Sequence, residues 1–373
     1  MNARGTAGPL VVGLVSVAML AGCATSASPT PAPASSSPAG SPSAAVTTPS
    51  PTVAATPTPP TVVVTRDVTY ESTDPLLTPD ALDIFAPTKA GPWPVVVMFH
   101  GAPGSDPVTD RGYLGEHARR VAELGFVVFN ASWGHAPGGG GDGPTYEGFM
   151  AVQSQGACAV EYARANAAKY GGDPATMIVF GHSGGAGTAA MVAFAGPAPT
   201  AGCLGGPTLG AIDALVTWEG NWLLSMTHPV LMDWDGWLAA DPRIVDAYTP
   251  WKYLARNTNL KVVVLVSEDP SASLEAEFPG VIVNRSVGNP WATDSWLAVR
   301  DPSGDLRRKL EASGALADGT LDFVEVQQLM FSVLKAQGNP VSLDVMPDSS
   351  HAYLAGGGWS VFLAAFGKAA ARN

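Results

Sequence analysis

The segment Gly181-His182-Ser183-Gly184-Gly185 sets one serine among small residues, directly after the apolar run Met177–Phe180. A serine hydroxyl is a weak nucleophile until a base takes its proton. Its attack on a carbonyl then creates an oxyanion that N–H donors must hold. The spacing G-x-S-x-G has a mechanical reason. The serine occupies a sharp strand-to-helix turn in a strained backbone, which lifts Oγ above the sheet edge, and the flanking positions lack side chains because strand and helix approach too closely there. The same knot also fits a purely structural strand–helix junction, so the rest of the chain decides between the two.

Acyl chemistry at Ser183 requires three further parts. The first is an oxyanion site. The amide of Gly184 is one donor, and the stretch "MFHGAPGSDP" supplies another after an apolar strand: the amide of Ala102, with Gly101 assisting. One such donor contributes about 2.7–4 kcal/mol to the transition state. The second part is a base. The chain has six histidines, of which only His228 and His351 follow Ser183. In the α/β arrangement that suits a G-x-S-x-G turn, the order along the chain is nucleophile, acid, histidine. His228 precedes every carboxylate expected at the end of the seventh strand. His351 lies in "MPDSSHAYL", between the last expected strand and the last helix, and is the base of choice. The third part is a carboxylate to orient the imidazole. "VVVLVSEDP" puts Glu268 and Asp269 at the end of the strand before the last, with Asp269 the first choice.

The elements that must position these residues alternate between strand and helix. "VTRDVTY" and "ALDIFAP" read as early antiparallel strands. "WPVVVMFH" is nearly all apolar, as a strand covered on both faces should be. "YLGEHARRVAELG" is a helix stopped at Gly125, "FVVFN" a strand, and "GFMAVQSQGACAVEYARANAAKY" a long helix. "TMIVF" and "GAGTAAMVAFAG" flank Ser183 as strand and helix. "AIDALVTW", "LKVVVLVS" and "VSLDVM" are further strands, with helices at "DFVEVQQLMFSVLKAQG" and "GWSVFLAAFGKAAA". The pattern implies an α/β fold with a mostly parallel central sheet and helices on both faces. Two stretches, about 220–256 and 271–319, break the alternation. They hold Trp222, Trp234, Trp237, Trp251, Trp291 and Trp296, and read as cap-like insertions. The glycine run Pro137–Gly143 is not a phosphate loop, because no Lys-Ser/Thr follows it. No Cys/His cluster has metal-ligand spacing, and the chemistry requires no cofactor.

The ends and the composition set the location. Residues 1–22 read as an export signal: Arg4, then the apolar "PLVVGLVSVAML". "LAGC" resembles the lipobox of bacterial lipoproteins, which makes Cys23 the lipidated N-terminus and the membrane the anchor. Residues 23–60 are Pro, Ser, Thr and Ala without charge and read as a disordered tether. Fully extended, it reaches on the order of 100 Å. Residues 61–373 form the globular body, with the cap-like stretches inside it. The formal charge of −12 and the absence of a basic run argue against a nucleic-acid partner. Outside the cytoplasm the remaining pair, Cys158 and Cys203, suits a disulfide.

From about Val68 onward the chain resembles the α/β-hydrolases of the bacterial lipase/esterase group, similar to the hormone-sensitive lipase and carboxylesterase families. "LDIFAP", "VVVMFHGAPG", "YGGDPATMIVFGHSGG" and "MPDSSHAYL" carry the likeness. The resemblance implies an α/β-hydrolase fold and hydrolysis of a small-molecule carboxylic ester through an acyl-enzyme. It also brings in a third acid, Asp322, because "GTLD" looks like a "GTxD" segment of related enzymes; with Glu325 the same residue suits a helix cap. "HGAP" in place of a longer glycine run, and "NASWGH" where relatives have a "YR" pair, are departures that bear on the substrate. A serine peptidase, an acyltransferase and a non-catalytic binding lipoprotein on this scaffold remain alternatives at this level.

Overall fold

The computed structural model describes residues 60–70, 81–101, 107–134, 145–196, 203–206, 208–220, 222, 240–244, 249–269, 303–313 and 323–371. All belong to one compact unit, Pro57–Asn373. The sequence-based readings of the export signal, the tether, Cys23 and the Pro137–Gly143 run lie outside the described residues, as does most of both cap-like stretches.

Eight strands form one sheet: β1 (Val62–Thr69), β2 (Ala81–Pro87), β3 (Trp93–Phe99), β4 (Val127–Ala131), β5 (Gly172–His182), β6 (Ala214–Trp218), β7 (Lys261–Ser267) and β8 (Val341–Met346). Their order is β1-β2-β4-β3-β5-β6-β7-β8. β1 pairs with β2, and β2 with β4, in antiparallel fashion; every later pairing is parallel. The helices are α1 (Pro107–Gly112), α2 (Gly115–Glu123), α3 (Tyr146–Asn166), α4 (Gly184–Ala190), α5 (Asp305–Ser313), α6 (Phe323–Ala336) and α7 (Gly356–Ala370). A small hairpin, β9 (Ser349–Ser350) with β10 (Tyr353–Leu354), follows β8.

The apolar runs of the central strands follow from burial on both faces. In β3, Val95, Val97 and Phe99 join the core layer with α3 and α6, whereas Val96 and Met98 join the layer with α2 and α7. The same alternation runs through β4, β5, β6 and β7. Burying each such side chain contributes about 1.5–3 kcal/mol, so a one-residue register slip would exchange the two layers and is strongly opposed. The register therefore fixes which residue ends each strand. Phe99, His182, Trp218 and Ser267 close β3, β5, β6 and β7 at the same, C-terminal edge of the sheet.

Cys158, on α3, is bonded to Cys203, with Cα atoms 5.2 Å apart. Gly205 lies against the α3 backbone so closely that a Cβ there would fall 2.1 Å from the Glu161 carbonyl carbon. Glu161 Oε1 accepts the Gly210 N–H at 2.8 Å. Together these contacts fasten the segment that leads into β6 to the flank of α3. Trp222, from the first cap-like stretch, is buried in the core, which gives that tryptophan a packing role.

Candidate active site

Ser183 follows β5 and precedes α4, with φ 51° and ψ −120°. That left-handed backbone is costly for a residue with a side chain and is held by its surroundings. The Ser183 N–H donates to the Trp218 carbonyl at 2.9 Å, and the Ser183 carbonyl accepts from Ala186 N–H at 3.0 Å. The flanking glycines are steric necessities. A Cβ on Gly181 would lie 2.2 Å from the Gly185 carbonyl oxygen, and one on Gly185 would lie 2.0 Å from the His100 carbonyl oxygen.

His351, in the β9–β10 hairpin, reaches this turn through His182, the residue before Ser183: the His351 carbonyl lies 2.6 Å from His182 Nε2. His351 is 7% exposed, and its Nδ1 hydrogen-bonds to Oε2 of Glu219. Glu219 is fully buried, directly after β6, with φ 50°. Its other oxygen, Oε1, accepts the Ser267 N–H at 2.7 Å. Both carboxylate oxygens thus have donors, the condition for keeping a buried carboxylate. The turn that aims Glu219 is itself clamped: Gln327 on α6 donates to the Gly220 carbonyl at 2.9 Å and accepts from Trp222 Nε1 at 2.9 Å.

Among the described residues the carboxylate on His351 Nδ1 is therefore Glu219, which is not among those expected from sequence. Asp269, the first choice, is exposed, and its backbone N–H donates to the Ser349 carbonyl at 3.1 Å. Glu268 is exposed, and its carboxylate accepts the Asp348 N–H at 2.9 Å. Asp322 lies outside the described residues. The reason is backbone geometry. Past the end of β7 the chain keeps pairing with the loop after β8, through Glu268 N–H to Met346 O and Asp269 N–H to Ser349 O. That pairing lets Glu268 and Asp269 face solvent. Past β6 the Glu219 N–H also pairs onward, with the Leu265 carbonyl of β7 at 3.0 Å, but the residue takes a left-handed φ of 50° and its carboxylate is buried on His351. The signal in the sequence was an acidic residue set directly after the apolar strand "ALVTW", the same station that Ser183 holds after β5.

Of the expected oxyanion residues, Gly101 lies beside the serine: a Cβ on it would be 3.8 Å from Ser183 Cβ. Gly184 opens α4 directly after Ser183. Ala102 lies outside the described residues. The His100 carbonyl accepts from Trp133 Nε1 at 3.0 Å, which pins the end of β3 where this loop begins. No group of three or more His, Cys, Asp or Glu side chains suited to a metal occurs among the described residues.

Ser183, Glu219 and His351 thus follow one another along the chain in the order nucleophile, acid, histidine expected for an acyl-transfer site, with Ser183 and Glu219 directly after β5 and β6 at the C-terminal edge of the parallel strands. Comparison with solved structures agrees on the scaffold. Esterase Est2 of the planctomycete Thermogutta terrifontis, with butyrate bound, superposes with a TM-score of 0.51 at 15% identity, covering 81% of this chain and 92% of its own. The chain carries an α/β-hydrolase fold. A truncated carbohydrate esterase from gut microbiota is similar with a TM-score of 0.51 at 15% identity, over 84% and 97% of the two chains. An inhibited esterase B from Lactobacillus rhamnosis gives 0.53 at 13% identity, over 83% and 86%. The model of the BD-FAE family, an α/β-hydrolase-type esterase family, matches residues 82–201, the segment from β2 to beyond α4. Among curated proteins, none matches the chain in sequence.

Proposed function

We propose that this protein is a serine esterase that cleaves small carboxylic esters through an acyl-enzyme. The observation that carries the reading is the pairing of His351 with the buried Glu219 beside the strained turn at Ser183. The ester-cleaving structural relatives support the substrate class.

In this reading Glu219 accepts a hydrogen bond from the Nδ1–H of His351, which keeps the proton on Nδ1 and leaves Nε2 as the bare, basic nitrogen. His351 takes the Ser183 hydroxyl proton as Oγ bonds to the ester carbonyl carbon. The carbonyl oxygen becomes an oxyanion, held by the amides of Gly184 and Ala102 with Gly101 assisting. The intermediate collapses as the bond to the leaving oxygen breaks, and His351 passes its proton to that oxygen. The alcohol departs and Ser183 is left acylated. Water then attacks the acyl carbon, its proton goes to His351 and on to Ser183 Oγ, and the acid is released. Lipidation at Cys23 would hold this activity on the outer face of the cell membrane at the end of the 23–60 tether.

The test is turnover of p-nitrophenyl acetate and butyrate by the purified protein and by Ser183→Ala. The variant should keep the fold, by circular dichroism, and lose turnover to the background rate. Turnover near wild type in the variant would overturn the reading, and faster cleavage of peptides than of esters would redirect it to a peptidase.

A further inference from the structure

His182 stands inside the nucleophile motif, yet no step of the acyl transfer uses it. Its side chain is buried and its Nε2 lies 2.6 Å from the backbone carbonyl oxygen of His351. A carbonyl only accepts, so Nε2 carries the proton and donates it. Burial first, and the neighbouring His351 second, hold the His182 pKa well below the ordinary imidazole value. The ring is therefore neutral, with a bare Nδ1.

The surroundings of this ring are the catalytic parts themselves. The His351 ring centroid is 4.7 Å away, and that of Trp218, the residue before Glu219, is 4.4 Å away. On another side lies the oxyanion loop: a Cβ on Gly101 would be 3.3 Å from His182 Nδ1. One side chain thus bonds the loop of the base, lies beside Gly101, packs at a tilt against Trp218 at the strand end before Glu219, and belongs to the residue next to Ser183. The Glu219 hydrogen bond holds His351 at ring nitrogen Nδ1. The His182 donor holds the other end, the backbone from which that imidazole hangs.

We infer that His182 is a positioning residue, whose Nε2–H to the His351 carbonyl keeps the base on the line between Glu219 and Ser183. This rests on the serine esterase reading. A displacement of about 1 Å in a catalytic group can cost on the order of 10²-fold in rate, which sets the size of the effect.

The experiment compares His182→Phe, which keeps a planar ring but has no donor, with His182→Gln, which restores an N–H donor, both in the full chain. His182→Phe should lower kcat for p-nitrophenyl acetate by roughly 10–100-fold with KM within about twofold, and His182→Gln should recover most of the loss. The far-downfield proton resonance of the His351–Glu219 hydrogen bond should weaken or shift in His182→Phe and return in His182→Gln, while thermal melting of the two variants stays alike. Should His182→Phe fail to fold, His182→Asn, too short to reach the carbonyl, takes its place with the same expectation. A donor-less variant with wild-type kcat, or a His182→Gln variant as impaired as it, overturns the inference. The proton resonance separates the two readings. If Ser183→Ala shows the protein is no esterase, an unchanged resonance in His182→Phe still refutes the positioning role on its own.

Discussion

Glu219→Gln is the substitution with the sharpest expected consequence. The glutamate is fully buried and divides its oxygens between the Ser267 N–H and His351 Nδ1. Glutamine has the same shape but only one oxygen. If that oxygen stays on the Ser267 N–H, the NH₂ group meets the Nδ1–H of His351, donor against donor. The imidazole then relieves the clash by moving its proton to Nε2, where it faces Ser183 and can no longer accept. If the amide flips instead, its NH₂ confronts the Ser267 N–H, and the buried turn after β6 loses a partner. Forcing the wrong tautomer in a serine triad costs about 10⁴-fold in kcat, or roughly 5 kcal/mol of transition-state stabilisation. The assay is kcat and KM for p-nitrophenyl butyrate beside Asp269→Asn and Glu268→Gln. The two exposed carboxylates should give changes within a few-fold. A Glu219→Gln enzyme within tenfold of wild type, or an Asp269→Asn enzyme that collapses, would refute the assignment of the acid.

The other predictions concern stability. His117 is buried in a cage of Trp218, Trp359 and Phe362, and burial lowers its pKa from 6.5 to about 4. Below pH 6.5 the unfolded chain gains a proton there that the folded chain refuses, so stability falls as pH drops from 6.5 to about 4 and this contribution then levels off. Its full size is about 3 kcal/mol, and His117→Phe should remove that part of the acid loss in urea titrations run between pH 7 and 4; identical pH slopes in the two proteins would count against it. The Cys158–Cys203 bridge spans a sequence separation of 45, which corresponds to about 4 kcal/mol of chain-entropy stabilisation. Replacing both cysteines by serine should lower the urea midpoint measurably, and an unchanged midpoint would mean that the bridge does not form in the protein.

Most of the scaffold was legible because its physics is local. A strand buried on both faces has to be a run such as Trp93–Phe99, and a serine at a left-handed turn has to be flanked by residues like Gly181 and Gly185. The mostly parallel sheet with helices on both faces follows from the alternation of such runs. The carboxylate partner of His351 was illegible for the opposite reason. Which carboxylate reaches His351 depends on how the chain leaves β6 and β7, and that is decided by contacts across strands: the Ser267 N–H, the Gln327 clamp on Gly220, and the pairing of Glu268 and Asp269 with the loop after β8. None of these leaves a spacing in the sequence. His182 belongs to the same class, because its partner is a backbone carbonyl 169 residues away.

The central claim is that Ser183 is an activated nucleophile. The direct measurement is mass spectrometry of the protein after reaction with a fluorophosphonate, wild type beside His351→Ala. The account predicts one adduct, mapped to the peptide containing Ser183 and lost in the His351 variant. No adduct, or an adduct on another residue with Ser183 untouched, would contradict it.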